Sequence, residues 1–406
     1  MVPFVLPSTG APKRPSMMTD QRGSVAEPLG VWLIGARGAV ATTTIVGTIA
    51  IRRGHTGTVG LVTETDAFVG SGLAPLDALV FGGHDLLDTP LVKAAHALCR
   101  DVGPLSPDLV RVVEDDLAGS EQHLRLAPAI VDGQPPREFV RAVQRDLQAF
   151  VAASGVRRVI VVNVATTEPL PPVDVLALDL PGLELMLDVR GARVPTSALY
   201  AYAAIDMGLP YVNFTPSVGA SLAALETLAL ARGVPHAGRD GKTGETLLKS
   251  AVAPMFRMRN LQVRSWVGFN VLGNADGLAL ADPVTAESKT ESKGKVVPSI
   301  LGYDPHTLVR IDYVPTLGDW KTAWDMIQFE GFLKTPMTLQ FTWQGADSAL
   351  AAPLVLDLVR LVDLAASRGE RGGLGHLAFF FKSPVRCEVH DLAEQYARLC
   401  HHVKGS

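Results

Sequence analysis

The chain has 406 residues, of which 47% are hydrophobic, so it can bury a large core and form two or three domains. Its net charge is −4, and it has no basic stripe with interleaved aromatic residues, which argues against nucleic acid as a partner. Cys99, Cys387 and Cys400 are far apart and lack metal-binding spacing, as is typical of thiols in a reducing cytoplasm.

Residues 1–27 are rich in Pro, Ser and Gly, which predicts a flexible tail. The apolar run in this tail is too short for a signal peptide. No unbroken apolar segment of about 20 residues follows it, so no membrane span is predicted. We therefore expect a cytoplasmic protein without a membrane partner.

The first regular unit is a strand, a turn and a helix. Val31 to Ile34 predict a buried strand, Gly35 and Gly38 a turn, and 39–51 a helix. A helix that begins just after a strand-end glycine turn offers free N–H groups to a phosphate. The glycines do not complete the G-x-G-x-x-G pattern, so an ordinary strand–turn–helix unit remains an alternative to nucleotide binding.

A second strand is predicted in the segment "TVGLVTETD", residues 58–66. It would place Glu64 and Asp66 where they could accept hydrogen bonds from ribose hydroxyls. They lie farther along the chain than the usual ~20 residues, so a plain strand-end role is the preferred interpretation.

Two further segments repeat the order helix, glycine, strand. In the first, a helix ends at Gly155, and the β-branched residues 159–164 predict a strand. Thr166 and Thr167 follow it, at the strand end where open α/β sheets bind ligands, although helix-capping threonines fit as well. In the second, Gly208 precedes a short strand. These steps predict an α/β fold with a doubly wound parallel sheet.

The pattern changes after residue 250. The segments "LVRIDYVP" and "MTLQFTWQG" alternate like strands of a sheet with one open face, and no long helix separates them. They predict an inserted α+β region. A helix with period 3.6 then ends at Gly369, and two further segments, "HLAFFFKSP" and "EVHDLAEQYARLCHHV", close the chain.

Lysine is distributed unevenly. Only Lys13 and Lys93 precede residue 240, whereas Lys289, Lys293 and Lys295 share one polar segment of the second half. A partly buried lysine can change its protonation, whereas arginine stays charged. On this count alone, surface lysines set by codon usage are the preferred interpretation, and a phosphate or proton-transfer site in the second half is the alternative.

A series of motifs between about residues 30 and 385 resembles the myo-inositol-1-phosphate synthase family. They occur in the family's order, which makes chance similarity implausible. The matching segments are "DALVFGGHDLLDTPL", "VIVVNVATTE", "RDGKTGETLLKS", "FNVLGNADG", "ESKTESK", "YVPTLGDWK", "ADSALAAPLVLDL" and "FKSP".

The resemblance implies a Rossmann domain that binds NAD and a second domain that carries catalysis and tetramer contacts. On this basis 28–246 would be the NAD-binding domain, 247–347 the catalytic and tetramerisation domain, and 348–406 a segment that returns to the first domain. The implied reaction oxidises the C5 hydroxyl of a hexose 6-phosphate with NAD+, enolises the product, closes the ring by an internal aldol step and reduces the ketone with the same cofactor. The implied partners are a sugar phosphate and other copies of the chain in a homotetramer.

The resemblance also implies roles for individual residues, with no metal site. Lysine suits the chemistry because its ammonium stabilises an enolate and its neutral amine removes a proton, and crowded lysines lower one another's pKa. The implied catalytic residues are Lys289, Lys321, Lys382, Asp240, Asn270, Asn274 and Asp319. The implied phosphate-binding residues are Thr243, Gly244, Thr246 and Lys293. The implied cofactor-binding residues are Gly35, Ala36, Arg37, Gly38, Ala39, Val40, Thr42, Asp85, Thr166, Asp276 and Asp347.

The chain departs from the family at both ligand sites. Its turn "GARGAVATT" lacks two glycines and both asparagines of the family's G-x-G-G-N-N-G-T-T, so helix N–H groups, helped by Arg37, are expected to bind the pyrophosphate. Glu245 replaces a Gln, and its carboxylate is expected to turn away from phosphate unless a cation pairs it. Trp320 replaces a Ser and is expected to add bulk beside Lys321.

Several functions fit these observations. The first is conversion of glucose 6-phosphate to an inositol phosphate. The second is the same chemistry on another sugar phosphate, such as fructose 6-phosphate closing to a five-membered carbocycle. A non-catalytic NAD-binding regulator and a simple dehydrogenase that releases NADH are further alternatives.

Overall fold

A computed structural model describes residues 27–99, 103–273 and 296–405. These residues form a seven-stranded parallel sheet covered by helices on both faces and a separate four-stranded mixed sheet. The predicted α/β class, with a doubly wound parallel sheet and an α+β insertion, is confirmed. No helix in these ranges is long and apolar enough to cross a membrane.

The larger sheet reverses its strand order between β1 and β4. Its order is β11-β6-β5-β4-β1-β2-β3, and that of the smaller sheet is β10-β9-β7-β8. Open α/β sheets bind ligands at the carboxyl ends of strands beside such a reversal. The strands are β1 Leu29–Ile34, β2 Leu79–Asp85, β3 Leu124–Leu126, β4 Arg158–Asn163, β5 Tyr211–Asn213, β6 Pro235–Gly238, β7 Gln262–Leu272, β8 His306–Tyr313, β9 Trp320–Glu330, β10 Pro336–Ala346 and β11 Gly372–Gly373.

Helices pack on both faces of the larger sheet. All of β1 is buried: Leu33 faces a core shared with α1 and α10, and Trp32 faces a core shared with α4, α7 and α8. This explains its unbroken apolar sequence. The helices are α1 Ala39–Arg52, α2 Leu91–Ala97, α3 Pro107–Ser120, α4 Pro136–Ser154, α5 Val173–Leu176, α6 Leu180–Asp188, α7 Thr196–Asp206, α8 Ala223–Arg232, α9 Glu245–Met258, α10 Asp347–Ser367 and α11 Leu392–Lys404, and 296–301 are also helical.

The smaller sheet packs on α9 with one face. Phe256 of α9 meets Trp266 of β7 and Ile327 of β9 in a separate apolar cluster. Residues of β8 alternate between half-buried and exposed, as the sequence predicts for a sheet with one open face. Strand β10 runs directly into α10, which returns the chain to the larger sheet and brings the start of β9 beside it.

The prediction of a strand over residues 58–66 is wrong. The segment forms short 3-10 turns instead of a strand. The buried carboxylate of Asp357, on α10, accepts a hydrogen bond from the backbone N–H of Thr63 at 3.0 Å, and Glu64 pairs with Arg360 at 2.7 Å. The carboxylate of Glu64 is therefore held by a residue of α10.

Two adjacent glycines in β2 allow close packing at the centre of the larger sheet. A Cβ on Gly83 would lie 2.2 Å from the carbonyl oxygen of Leu33 on β1. A Cβ on Gly82 would lie 2.8 Å from the ring of Phe150 on α4. Neither the backbone nor an interior ring can move aside without disturbing the core.

We predict that Gly83→Ala destabilises the protein, because its methyl group would overlap the backbone of the neighbouring strand. The free energy of unfolding should fall by at least about 1–3 kcal/mol in urea denaturation. Gly47→Ala is the matched control: Gly47 lies in α1 with no heavy atom within 4 Å of the added Cβ, so this variant should not lose stability. Equal stability of Gly83→Ala and the wild type would contradict the packing described above.

Candidate active site

A cavity of about 970 Å³ lies outside the carboxyl ends of β1 and β4. Its volume is near the upper end of the range for small-molecule sites. The turn residue Gly35 lines one part of it, and Lys321 and Lys382 line another. The larger sheet, the start of β9 and the C-terminal segment thus enclose one space that can hold two adjoining ligands.

The structure brings most of the candidate site residues to this cavity. The lining includes Gly35, Gly38, Ala39, Val40, Asp85, Thr166, Asp240, Thr243, Gly244, Thr246, Asn270, Asp319, Lys321, Asp347 and Lys382. Ala36, Arg37 and Thr42 do not line it. Asn274, Asp276, Lys289 and Lys293 lie outside the described residues.

The turn between β1 and α1 is held tightly against its neighbours. The N–H groups of Gly35 and Ala36 donate to the carbonyl of His84 at 2.9 and 3.0 Å. Gly35 has φ +86°, and a Cβ there would lie 2.8 Å from Cα of Ala165 after β4. Only glycine therefore fits, and the turn delivers the first N–H groups of α1 to the cavity.

This end of the cavity fits the pyrophosphate and ribose of NAD. The first turn of α1 contains no acidic residue, so its N–H groups and helix dipole favour a phosphate. Asp85 stands at the end of β2, where its Oδ2 accepts from the N–H of Arg37 at 2.7 Å and its Oδ1 from the N–H of Leu87 at 2.9 Å. The carboxylate keeps lone pairs that can accept from ribose hydroxyls.

Arg37 does not assist at the pyrophosphate position, contrary to the sequence-based expectation. Its side chain is 4% exposed and pairs with Glu121. The other oxygen of Glu121 accepts from the N–H of Leu91, the first residue of α2, at 2.7 Å. Arg37 therefore ties the turn to neighbouring helices. Ala36 and Thr42 are fully buried.

An uncharged polar group forms part of the wall near this turn. Nδ1 of His84 lies 3.0 Å from the hydroxyl of Tyr200, and Nε2 lies 3.2 Å from Asp146. Burial lowers the pKa of His84 to about 4, so the imidazole is neutral at pH 7. Sequence reasoning missed it, although it lies inside the matching segment "DALVFGGHDLLDTPL".

Lys321 crosses the loop that precedes α9. Its Nζ contacts Asp347 and donates to Oγ1 of Thr243 at 2.7 Å. A Cβ on Gly244 would lie 2.9 Å from Cε of Lys321, so the glycine makes room for the lysine. The amine is thereby held between a loop of the larger sheet and the first residue of α10.

Lys382 forms a second ion pair in the cavity wall. Its Nζ lies 2.6 Å from Oδ1 of Asp240, and its backbone N–H donates to the carbonyl of Asp240 at 2.7 Å. The two side chains are 11% and 5% exposed. Asp240 has φ +64°, a conformation that Asp tolerates better than most residues. Lys321 and Lys382 thus each have a carboxylate partner.

The carboxylate of Glu245 was expected to turn away from phosphate unless a cation paired it. It remains buried, and Lys249 is the cation that pairs it. The side chain of Glu245 is 1% exposed, its Oε1 lies 2.6 Å from Nζ of Lys249, and its Oε2 accepts from Nδ2 of Asn270 at 2.7 Å. A Cβ on Gly268 would lie 2.4 Å from Oε1, so this glycine creates the space for the carboxylate. The paired lysine removes most of the repulsion that a bare carboxylate would exert on a phosphate.

Asp319 is a buried carboxyl in the cavity wall. Its Oδ2 accepts from the N–H and the hydroxyl of Ser348, at 3.0 and 2.7 Å, near the start of α10. Its Oδ1 has no hydrogen-bond partner in the described part of the chain. Burial raises the pKa of Asp319 to about 6.

Two further residues escaped sequence reasoning. Trp343 of β10 lines the cavity, and its indole N–H has no hydrogen-bond partner within the described ranges. Trp320, which was expected to add bulk beside Lys321, does not line the cavity.

Lys242 lies behind Asp240 and donates to Oε1 of Gln395 at 2.6 Å. Burial lowers the pKa of Lys242 to about 7. Its place inside "RDGKTGETLLKS" was the available signal.

Comparisons with known proteins agree with this architecture. A family model described as myo-inositol-1-phosphate synthase matches residues 29–404. The chain is 34% identical over 401 residues to inositol-3-phosphate synthase 1 of Bacteroides thetaiotaomicron, covering 90% of this chain and 91% of that one.

Solved structures share the fold. The inositol-3-phosphate synthase of Caenorhabditis elegans matches with a TM-score of 0.83 and 24% identity, over 93% of this chain and 86% of that one. A myo-inositol-1-phosphate synthase-related protein of Thermotoga maritima matches with a TM-score of 0.75 and 24% identity, over 93% and 98%.

We predict that Asp319→Asn stabilises the protein at pH 8. Because the folded-state pKa of Asp319 is raised to about 6, the cost of its buried charge is absent below about pH 4 and fully present above about pH 6. The amide keeps an acceptor for Ser348. The gain should be at most about 3 kcal/mol, since each pKa unit corresponds to ~1.4 kcal/mol.

The measurement is the difference in melting temperature between Asp319→Asn and the wild type at pH 4, 6 and 8. The difference should grow with pH. Asp132→Asn, at an exposed loop position, is the control and should show no such trend. A difference that is constant or that shrinks as pH rises would show that the Asp319 carboxyl is not destabilised by burial.

Proposed function

The chain belongs to the myo-inositol-1-phosphate synthase family of NAD-dependent isomerase-type enzymes, and from this premise we propose that it converts glucose 6-phosphate to an inositol phosphate. One observation carries the proposal: the glycine turn after β1 and the ion pairs Lys321–Asp347 and Lys382–Asp240 line a single cavity. A sugar phosphate beside these amines would lie next to a dinucleotide bound at the turn.

The turn and α1 would hold the cofactor through backbone N–H groups, and Asp85 would accept from the ribose. When bound, NAD supplies a hydride acceptor for the first step and returns the hydride in the last, so no net redox change results. The proposed assignment groups 28–246 with 348–406 as the NAD-binding domain. It gives catalysis and tetramer contacts to 247–347.

The loop before α9 would bind the phosphate. Thr243, Gly244 and Thr246 line the cavity at the start of this helix, where N–H groups favour an anion. The hydroxyl of Thr246 is buried without a hydrogen-bond partner among the described residues, so it can donate to a phosphate oxygen. The indole N–H of Trp343 is a further donor in the same wall. By motif position, Lys293 would add a charge.

The two paired lysines would manage protons at the reacting carbons. An ammonium at Nζ stabilises the oxyanion of an enolate, and a neutral amine accepts a proton from carbon. Asp347 and Asp240, each in contact with its lysine, would hold the amines in place and balance their charge. By motif position, Lys289 would complete the set, together with Asn274 near the substrate and Asp276 near the cofactor.

A second candidate is the same chemistry on fructose 6-phosphate, giving a five-membered carbocycle. The observation that favours it is the altered phosphate end of the cavity, where Glu245, paired with Lys249, replaces the family's neutral Gln. A shifted phosphate position would bring different carbons of the sugar beside Lys321 and Lys382.

Product identity tests the proposal. Purified protein is incubated with NAD+ and either glucose 6-phosphate or fructose 6-phosphate, and the products are identified by NMR. We expect an inositol phosphate from glucose 6-phosphate, with no steady rise of absorbance at 340 nm. A carbocycle from fructose 6-phosphate alone would establish the second candidate. Accumulating NADH without a carbocycle would identify a simple dehydrogenase.

Lysine variants test the catalytic assignment. Lys321→Met and Lys382→Met should each lower kcat by about 10²–10⁴-fold, since each removes a proton-transfer group, while NAD binding measured by calorimetry is retained. Lys334→Met, at an exposed position between β9 and β10, is the control and should keep full activity. Unchanged turnover in both variants would overturn the assignment of Lys321 and Lys382 as catalytic residues, whereas a wild type that binds NAD without any turnover would be a non-catalytic NAD-binding protein.

A further inference from the structure

Three metal-binding side chains converge away from the catalytic cavity. Glu370 follows α10, His376 lies in the 3-10 helix Gly375–Phe380, and His402 lies in the last turn of α11. One ligand atom from each lies within 4.8 Å of the other two. None of the three lines the cavity, so the proposed reaction does not account for them.

The side chains already contact one another closely. Nε2 of His402 lies 2.8 Å from Oε1 of Glu370, and Nδ1 of His376 lies 3.9 Å from Oε2. The two imidazole rings stack with centroids 3.4 Å apart and planes inclined by 13°. Two stacked rings that both carried a positive charge would repel each other, so at least one is neutral and retains a nitrogen lone pair.

We propose that Glu370, His376 and His402 form a binding site for a divalent zinc-class cation. Two imidazole nitrogens and one carboxylate oxygen are a common zinc ligand set, and they leave a fourth position for water. The set carries one negative charge when both rings are neutral, which favours a dication. The side chains are 15–32% exposed, so an ion can reach them from solvent.

Binding requires a local rearrangement of the rings. A nitrogen lone pair lies in the plane of its ring, so two parallel stacked rings cannot both direct a lone pair at one ion. The rings must turn out of the stack, and the ion must replace the proton shared between His402 and Glu370. Zinc–nitrogen and zinc–oxygen bonds of about 2.0–2.2 Å are compatible with the 2.8 Å separation of these two atoms after a small movement.

The positively charged side chain of Arg368 lies nearby but does not occupy the proposed metal site. Arg368 donates to the carbonyls of His402 and Val403 at 2.9 and 2.7 Å, which directs its guanidinium at the end of α11. A bound ion would therefore join the end of α10, the segment that leads to Lys382 and the last turn of α11. Its expected effect is to hold the C-terminal helix in place.

Zinc titration of the tag-free full chain tests the proposal. After treatment with EDTA and dialysis, calorimetry should show one equivalent of Zn2+ bound, and Zn2+ should raise the melting temperature. His376→Ala, His402→Ala and Glu370→Gln should each weaken binding by at least about tenfold, because each removes or weakens a ligand. His401→Ala is the matched control: it is the exposed neighbour on α11 and should keep both effects.

Several results would overturn the proposal. They are no stoichiometric binding to the wild type, binding that is unchanged in Glu370→Gln and His402→Ala, and equal loss of binding in His401→Ala. Melting curves without metal show whether each variant folds. If His402→Ala does not fold, Glu370→Gln decides the outcome, because it nearly preserves size and keeps an oxygen that can accept from His402.

Discussion

The architecture of the candidate active site depends on the pairing of partly buried charges across the junction of the two sheets. Lys321 comes from the smaller sheet, Thr243 from a loop of the larger sheet, and Asp347 from the helix that connects them. An amine removed from water needs a carboxylate or several acceptors, and removal of one partner leaves an uncompensated charge. The ion pair therefore fixes the amine of Lys321 and also the position of one sheet against the other.

Local sequence predicts the elements whose stability is local. The strand β4 is a β-branched run, and α4 ends at Gly155, which has the left-handed conformation typical of a helix end. The segment 58–66 is also rich in β-branched residues but is not a strand. Asp357, 294 residues away from Thr63, binds its backbone N–H instead. A prediction from neighbouring residues could not include Asp357, because it is so far away in the sequence.

The candidate site shows the same difference between features that local sequence predicts and contacts that depend on distant residues. The ordered motifs identify Lys321, Lys382 and Asp240 as candidate site residues. Which carboxylate pairs with which lysine depends on the tertiary fold. The Arg37 guanidinium pairs with Glu121, 84 residues away, and its side chain does not line the cavity. Glu245 has its compensating Lys249 one helical turn away, a spacing visible in the sequence, yet the space for its carboxylate comes from Gly268 on another element.

The C-terminal segment positions Lys382 through contacts on both of its sides. The backbone N–H of Lys242 donates to the carbonyl of Phe380, and that of Lys382 donates to Asp240, so two short segments pair like strands. Behind them the buried amine of Lys242 binds Gln395 of α11. Because α11 thus supports the segment that carries Lys382, any group that stabilises the end of α11 also restricts the motion of the Lys382 amine. In the proposed reaction, tight packing of this helix therefore serves the chemistry as well as the fold.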